Sequence, residues 1–249
     1  FLGQYAGANV TTGCNNIIFG QSAGGSGTLT GSHNLFMGHC AGKKTTSGTN
    51  IIFGQLAGQE VTTASSNIWI GKNSGRCQIC QQNIFIGEEA GKGGSSTPAN
   101  NTTICSVGIG MYALCQATNG QNNTAIGAAA GRCNGGGNQN VFVGHHAGQG
   151  SCSEFSGFRN TFVGKSAGKD ITSGRGNSFM GYYAGENITT GQYNTSFGHS
   201  AGCTITTGSF NVAIGYGVTL SSATGNNQLG IGSGTCFWVE GDSSYNATL

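Results

Sequence analysis

The stretch Asn50-Ile-Ile-Phe-Gly-Gln-Leu-Ala-Gly58 decides the fold. It reads Asn, an apolar trio, Gly, two variable residues, Ala, Gly. It returns as NIIFGQSAG from Asn16, NLFMGHCAG from Asn34, NIFIGEEAG from Asn83, NVFVGHHAG from Asn140, NTFVGKSAG from Asn160, NSFMGYYAG from Asn177 and NTSFGHSAG from Asn194. Looser copies begin at Asn67, Asn123 and Asn211. The chain is a single repeat, and the repeat fixes the architecture before any function is considered.

Position zero is the Gly that follows the trio. It falls at Gly3, Gly20, Gly38, Gly54, Gly71, Gly87, Gly110, Gly127, Gly144, Gly164, Gly181, Gly198, Gly215 and Gly232, which defines 14 coils. The spacing is 16 to 18 residues, apart from 23 before Gly110 and 20 before Gly164. Those two intervals, Lys92 to Ser106 and Gln149 to Gly157, read as expanded loops.

Position −1 is large and apolar throughout, and −3 is apolar or Thr/Ser. The two share a strand face, so they are expected to line the inside of the coil. Position −2 then points outward with Phe36, Trp69, Phe85, Phe142, Phe162 and Phe179. An exposed aromatic ladder of that length needs a cover, and another copy of the chain is the economical one. These six residues are the expected oligomer interface. Asn at −4 suits a left-handed turn and can bond along a stack of coils. Ala-Gly at +3 and +4 marks a tight corner. An apolar residue at +7, as in Val61-Thr-Thr and Ile188-Thr-Thr, opens a second short strand and packs inward. The expected fold is all-β, a parallel β-solenoid of about 14 coils with a repeat of about 17 residues, roughly 65 Å long. The repeat region is 1–234, and 235–249 is a C-terminal junction.

Composition agrees. The chain has 249 residues, 48 Gly, one Pro and 7% charged residues. The Gly has no three-residue period, which excludes collagen, and helical apolar spacing is absent. Net charge is +2 without a basic run, so nucleic acid has no electrostatic footprint. No apolar run approaches the length of a membrane span. The chain opens at Phe1, halfway through a repeat, and reads as a piece of a longer polypeptide.

Ser209-Phe-Asn-Val-Ala-Ile-Gly-Tyr-Gly-Val and Asn122-Asn-Thr-Ala-Ile-Gly resemble the YadA-like head repeats of trimeric autotransporter adhesins and the related repeats of bacteriophage tail fibres. The segment from Gly230 to Asn246 is similar to the stretch that follows such repeats in phage fibres. The resemblance covers nearly the whole chain. It implies a left-handed β-roll, a homotrimer and a role in host-surface attachment. The partners it implies are two further copies and a cell-surface glycan or protein receptor, at a virion surface or outside the cell. Two features depart from the adhesin pattern: a longer repeat and ten Cys. An extracellular filament subunit with a mechanical role is the alternative, favoured by oxidised cysteines.

Catalytic motifs dissolve into the repeat. Gly20-Gln-Ser22-Ala-Gly24, Gly164-Lys-Ser166-Ala-Gly168 and Gly198-His-Ser200-Ala-Gly202 match a nucleophile elbow, yet equivalent positions hold Leu56, Glu89, His146 and Tyr183. No cofactor, metal or enzymatic activity is expected. Cys77-Gln-Ile-Cys80 lacks a second metal-binding half and reads as a local disulfide or two thiols. Cys115 and Cys133, at +5 and +6 of successive coils, are candidates for a bridge between rungs. His39 and the His145-His146 pair occupy variable corner positions. The seven glycosylation sequons occur at about the frequency chance predicts.

Overall fold

The structure, a computed structural model, describes residues 1–79, 81–94, 101–151, 155–244 and 246–248. Among them every regular element is a strand, and the protein is an all-β, mostly parallel solenoid with a rung about every 17 residues. It divides into two units, Phe1–Asn123 and Thr124–Leu249. The first holds β1 (Ile17–Phe19), β2 (Leu35–Met37), β3 (Ile51–Phe53), β4 (Ile68–Ile70), β5 (Ile84–Ile86) and β6 (Val107–Ile109). The second holds β7 (Thr124–Ile126), β8 (Val141–Val143), β9 (Thr161–Val163), β10 (Ser178–Met180), β11 (Thr195–Phe197), β12 (Val212–Tyr216) and β13 (Leu229–Ser233). Within each unit like positions face like: Ile52 lies opposite Trp69, and Phe162 opposite Phe179. In the second unit β14 (Cys236–Gly241) pairs antiparallel with β13, and β15 (Ala247–Thr248) with β14.

The trio is oriented opposite to the sequence expectation. Ile18, Phe36, Ile52, Trp69, Phe85, Phe142, Phe162 and Phe179, all at −2, are at most 1% exposed within a single chain. Positions −1 and −3 face out, with Ile17 51%, Met37 42% and Phe197 54% exposed. The six aromatic residues expected at an oligomer interface are therefore the core of the coil. Their rings lie against the Ala-Gly corner. A Cβ built on Gly75 would stand 2.5 Å from the Trp69 ring, and one on Gly58 2.8 Å from the same ring. Only Gly leaves room for the ring and also accepts the left-handed φ of 55–56° found there. The +7 residues Val61, Ile171, Ile188 and Ile205 close the core from the far side, as expected. Phe162 and Phe179 stack at 4.9 Å with their planes 6° apart, and Phe142 follows at 5.6 Å. Where −2 is small, a neighbour fills the space: Leu114 takes the +4 place beside Gly108, and Val218, Leu220 and Phe237 close on Gly230.

Asn at −4 shares the strand parity of −2 and is buried with it. In the second unit, Asn177 donates through Nδ2 to Asn160 Oδ1 at 3.1 Å and to the Gly191 carbonyl at 2.9 Å. Its own Oδ1 accepts from the Asn194 backbone N–H at 2.9 Å and from Asn194 Nδ2 at 3.1 Å. The first unit repeats this at Asn34, Asn50 and Asn67. Both ends of each amide are thus used, one along the stack and one across the coil, which is what a fully buried amide requires. The left-handed residue is the −5 neighbour (His33, Ser66, Gln82) rather than the Asn itself.

The corner after position zero is a run of linked turns. In the coil of Gly38, Ala41 N–H bonds the Gly38 carbonyl at 3.2 Å, Lys43 N–H that of Cys40 at 3.3 Å, and Thr45 N–H that of Gly42 at 3.0 Å. Position +2 is held left-handed in every coil from Ser22 to Ser200, whatever its side chain. Among the described residues the expected second strand does not form: beyond the trio ladder, which the Leu2–Phe19 bridge extends, the first unit has only the single bridges Val10–Leu29 and Ile104–Gln121. Left-handed residues at +4 and −5, such as Gly58 and Ser66, bracket the segment and leave it only a few residues long. Rungs are joined there instead by backbone bonds onto a single carbonyl, as from Thr46 N–H to Thr62 O at 2.8 Å, reinforced by the Thr46 hydroxyl on the same carbonyl at 2.7 Å. Thr172, Thr189 and Thr206 do likewise in the second unit.

Candidate functional site

With −2 turned inward, the outer strand face becomes the surface of interest. In the first unit it carries two apolar columns, Ile17, Leu35, Ile51, Ile68, Ile84 and Val107 at −3, and Phe19, Met37, Phe53, Ile70, Ile86 and Ile109 at −1. All twelve are exposed or half-buried. Polar ladders border both sides. On one, Gln21 bonds Gln4 at 3.3 Å and Lys72 pairs with Glu88 at 3.2 Å. On the other, Asn15 meets His33 at 3.2 Å and Thr49 meets Ser66 at 3.2 Å. Six rungs of three residues make a stripe of about 24 by 10 Å, roughly 240 Å², from strand spacing and rise. A patch of a few hundred Å² is on the scale of the largest apolar patch of an ordinary monomer, and with a polar rim such a patch often serves contact.

The second unit's outer face is different. Its −3 column holds Thr161, Ser178 and Thr195, all exposed, beside Met180 and Phe197 at −1. Thr161, Ser178, Met180, Thr195 and Phe197 line a groove of about 110 Å³ whose floor is the strand backbone at Phe179 and Ser196. At +1, Tyr182, His199 and Tyr216 stack at 5.0 and 5.1 Å, and Lys165 Nζ sits 5.1 Å over the Tyr182 ring. The Tyr183 hydroxyl bonds that of Tyr182 and, helped by Lys165, holds the Tyr182 pKa below the ordinary phenol value. At −5, Tyr193 stacks on Phe210 at 5.2 Å.

The remaining sequence candidates fall as follows. Cys133 is in a disulfide, but Cys115 is a buried thiol directed at Glu89 Oε2, 3.8 Å away, so the expected Cys115–Cys133 bridge is not made. Cys77 is a buried thiol as well, which removes the local disulfide; burial raises its pKa. Cys80 lies outside the described residues, as do 95–100 and 152–154 of the expanded loops. The second loop is tied to the core by Phe155, buried and edge-on to Phe142 at 6.1 Å. His145 and His146 stack at 3.9 Å. Burial first, and the neighbouring His145 second, lower the pKa of His146. Among the described residues no three His, Cys, Asp or Glu side chains converge on a point where a metal ion could sit. Ser22, Ser166 and Ser200 occupy the same left-handed turn site as Leu56 and Tyr183. The sequons at Asn101 and Asn194 are fully buried in the folded chain.

The fold and the repeat define a β-solenoid repeat protein. Comparison with protein-family models, with curated proteins and with solved structures found no match.

Proposed function

We propose that the chain is a non-enzymatic attachment segment, a stretch of a trimeric phage or virus tail fibre or of an adhesin head that binds a host surface. The observation that carries this reading is the rimmed apolar stripe of the first unit, with Ile17 51% and Met37 42% exposed. Such a stripe is complementary to itself: flat, apolar and repeated at the rung spacing. Copies of one chain arranged about an axis would cover it, and closed symmetric assemblies are the usual outcome. The buried aromatic column contributes rigidity to each copy rather than contact between copies. The partners are then further copies of the chain and a cell-surface glycan or protein, at a virion surface or outside the cell. The resemblance of the repeat to adhesin heads and tail fibres supports the same reading.

The disulfide at Cys133 favours a second reading, a subunit of an extracellular filament matured under oxidising conditions. Light scattering on the native particle, with and without reductant, separates the two. A trimer mass that ignores reductant, and falls to one chain in an Ile51→Ser/Phe53→Ser variant, is the expected result. A wild-type monomer would overturn the assembly. A polymer that dissociates on reduction would transfer the assignment to the filament.

A further inference from the structure

We propose that the outer face of the second unit over β9–β12 binds an acidic oligosaccharide, one whose sugar rings carry carboxylate or sulfate groups. The inference rests on the attachment reading, whose receptor class it names. Three features of the face converge on that chemistry.

The first is the row of hydroxyls. Thr161, Ser178 and Thr195 stand in register on neighbouring strands, one per rung. Their hydroxyls make no hydrogen bond among the described residues and face the groove. The second is the aromatic border. The Tyr193–Phe210 stack flanks one side, and Met180, Phe197 and the Tyr182–His199–Tyr216 stack flank the other. Such surfaces take the apolar C–H faces of sugars while their hydroxyls reach the Thr and Ser row. The hydroxyls recur at one per rung, which suits a ligand that is itself a chain of similar units.

The third feature is charge. Arg159 and Arg175 lie along the Tyr193 side with their Nε groups bonded to Gln139 at 3.1 Å and Gln192 at 2.7 Å. Both guanidinium groups also rest on the Phe158 ring, at 5.7 and 5.6 Å. They are thereby oriented, and their terminal nitrogens remain for a ligand. Lys165 stands on the opposite border. Among the described residues of this unit the ion pair formed is Lys169–Glu186, and none of these three cations shares it. Oriented guanidinium groups without a carboxylate partner fit an anion.

The occupant is a sugar chain rather than a peptide. β10, β11 and β12 are each hydrogen-bonded on both sides, so an extended peptide finds no strand edge to join. A nucleic acid would need a denser cationic track than a chain of net charge +2 supplies.

The test is interferometry on the full chain with four immobilised probes: a heparin oligosaccharide, a hyaluronan oligosaccharide, dextran and polyglutamate. Binding of an acidic sugar, with dextran silent and polyglutamate at least tenfold weaker, is expected. Arg175→Gln should weaken it on the order of tenfold. Tyr193→Ser/Phe210→Ser should weaken it comparably, and Lys72→Gln in the first unit should not. Failure of both acidic sugars, equal binding of polyglutamate, or an unaffected Tyr193→Ser/Phe210→Ser variant would overturn the proposal. Far-UV circular dichroism checks that each variant is folded. Light scattering on the same samples keeps the two readings apart: a trimer that binds no acidic sugar removes this inference alone, and a monomer that binds removes the assembly alone.

Discussion

Replacing Asn177 tests the buried amide ladder at one rung. In Asn177→Ala the Asn194 backbone N–H loses its acceptor and the Gly191 carbonyl loses its donor, bonds of 2.9 Å each. Asn160 and Asn194 each lose one amide partner as well. A buried group left unsatisfied costs about 1–3 kcal/mol, so the two backbone orphans alone predict about 4 kcal/mol. Asn177→Ser should cost about half of that, because Ser keeps the bond along the stack and loses the bond across the coil. The chain already contains that case: Ser106 accepts the Asn123 N–H at 3.2 Å and donates its own N–H to Asn83 Oδ1 at 3.0 Å. Asn177→Asp sets a carboxylate against two oxygen acceptors. Its folded-state pKa should rise, so its stability deficit should be full at neutral pH and shrink as pH falls. Urea unfolding gives the stability, and amide exchange at Asn194 gives the local effect. An Asn177→Ala variant within about 1 kcal/mol of the parent, with Asn194 still protected, would refute the ladder as a stabilising element.

Three further outcomes follow from the same geometry. Phe162→Ala should cost about 3–5 kcal/mol by opening the stacked core, whereas Phe197→Ala on the exposed face should change monomer stability by less than about 0.5 kcal/mol in the same denaturation assay. Gly75→Ala, which forces a Cβ to 2.5 Å from the Trp69 ring at a left-handed φ, should cost about 3 kcal/mol by thermal or urea unfolding. His146 binds a proton less readily folded than unfolded, so stability should be full above its reference pKa of 6.5 and decline as pH falls through it. His146→Gln should flatten that decline in a pH series of melts.

The repeat, its period and the parallel stacking were legible because one Asn, one Gly and one Ala-Gly pair recur at fixed offsets. The direction of the strand faces was not. Position −1 is apolar in every coil while −2 includes Gly108, Ala125, Ser196, Ala213 and Gly230, so frequency alone placed −1 inside. Burial is not the same as apolar character, since much of any protein surface is apolar. Two signals pointed the other way. Asn at −4 shares a face with −2, and an amide repeated in register bonds best where water is absent. Leu114 also replaces the usual +4 Gly in the one coil whose −2 residue is Gly108, a size exchange that only a shared interior requires. The second segment is cut short by left-handed backbone at −5 residues such as Thr49, Arg159 and Phe210, whose types do not announce that conformation. The Cys115–Cys133 pairing failed because offsets of +5 and +6 fix neither the direction nor the company of a side chain, and Cys115 faces Glu89.

The left-handed site at +2 has a consequence for what the chain can carry. Its φ stays within 53–61° for Ser22, Cys40, Leu56, Asn73, Glu89, His146, Ser166, Tyr183 and Ser200. Polar, acidic, aromatic and aliphatic side chains all appear there, yet across the 14 coils none is Val, Ile or Thr, although Thr abounds elsewhere. A left-handed φ disfavours branching at Cβ without forbidding it, since Thr49 holds φ 61° at −5. The turn therefore holds one backbone geometry for side chains of widely different chemistry. A library that varies +2 where it is half-buried, as at Ser22, Leu56 and Glu89 in the first unit, and leaves the buried Cys40 and Asn73 alone, would change the surface of that unit with little effect on the scaffold beneath it.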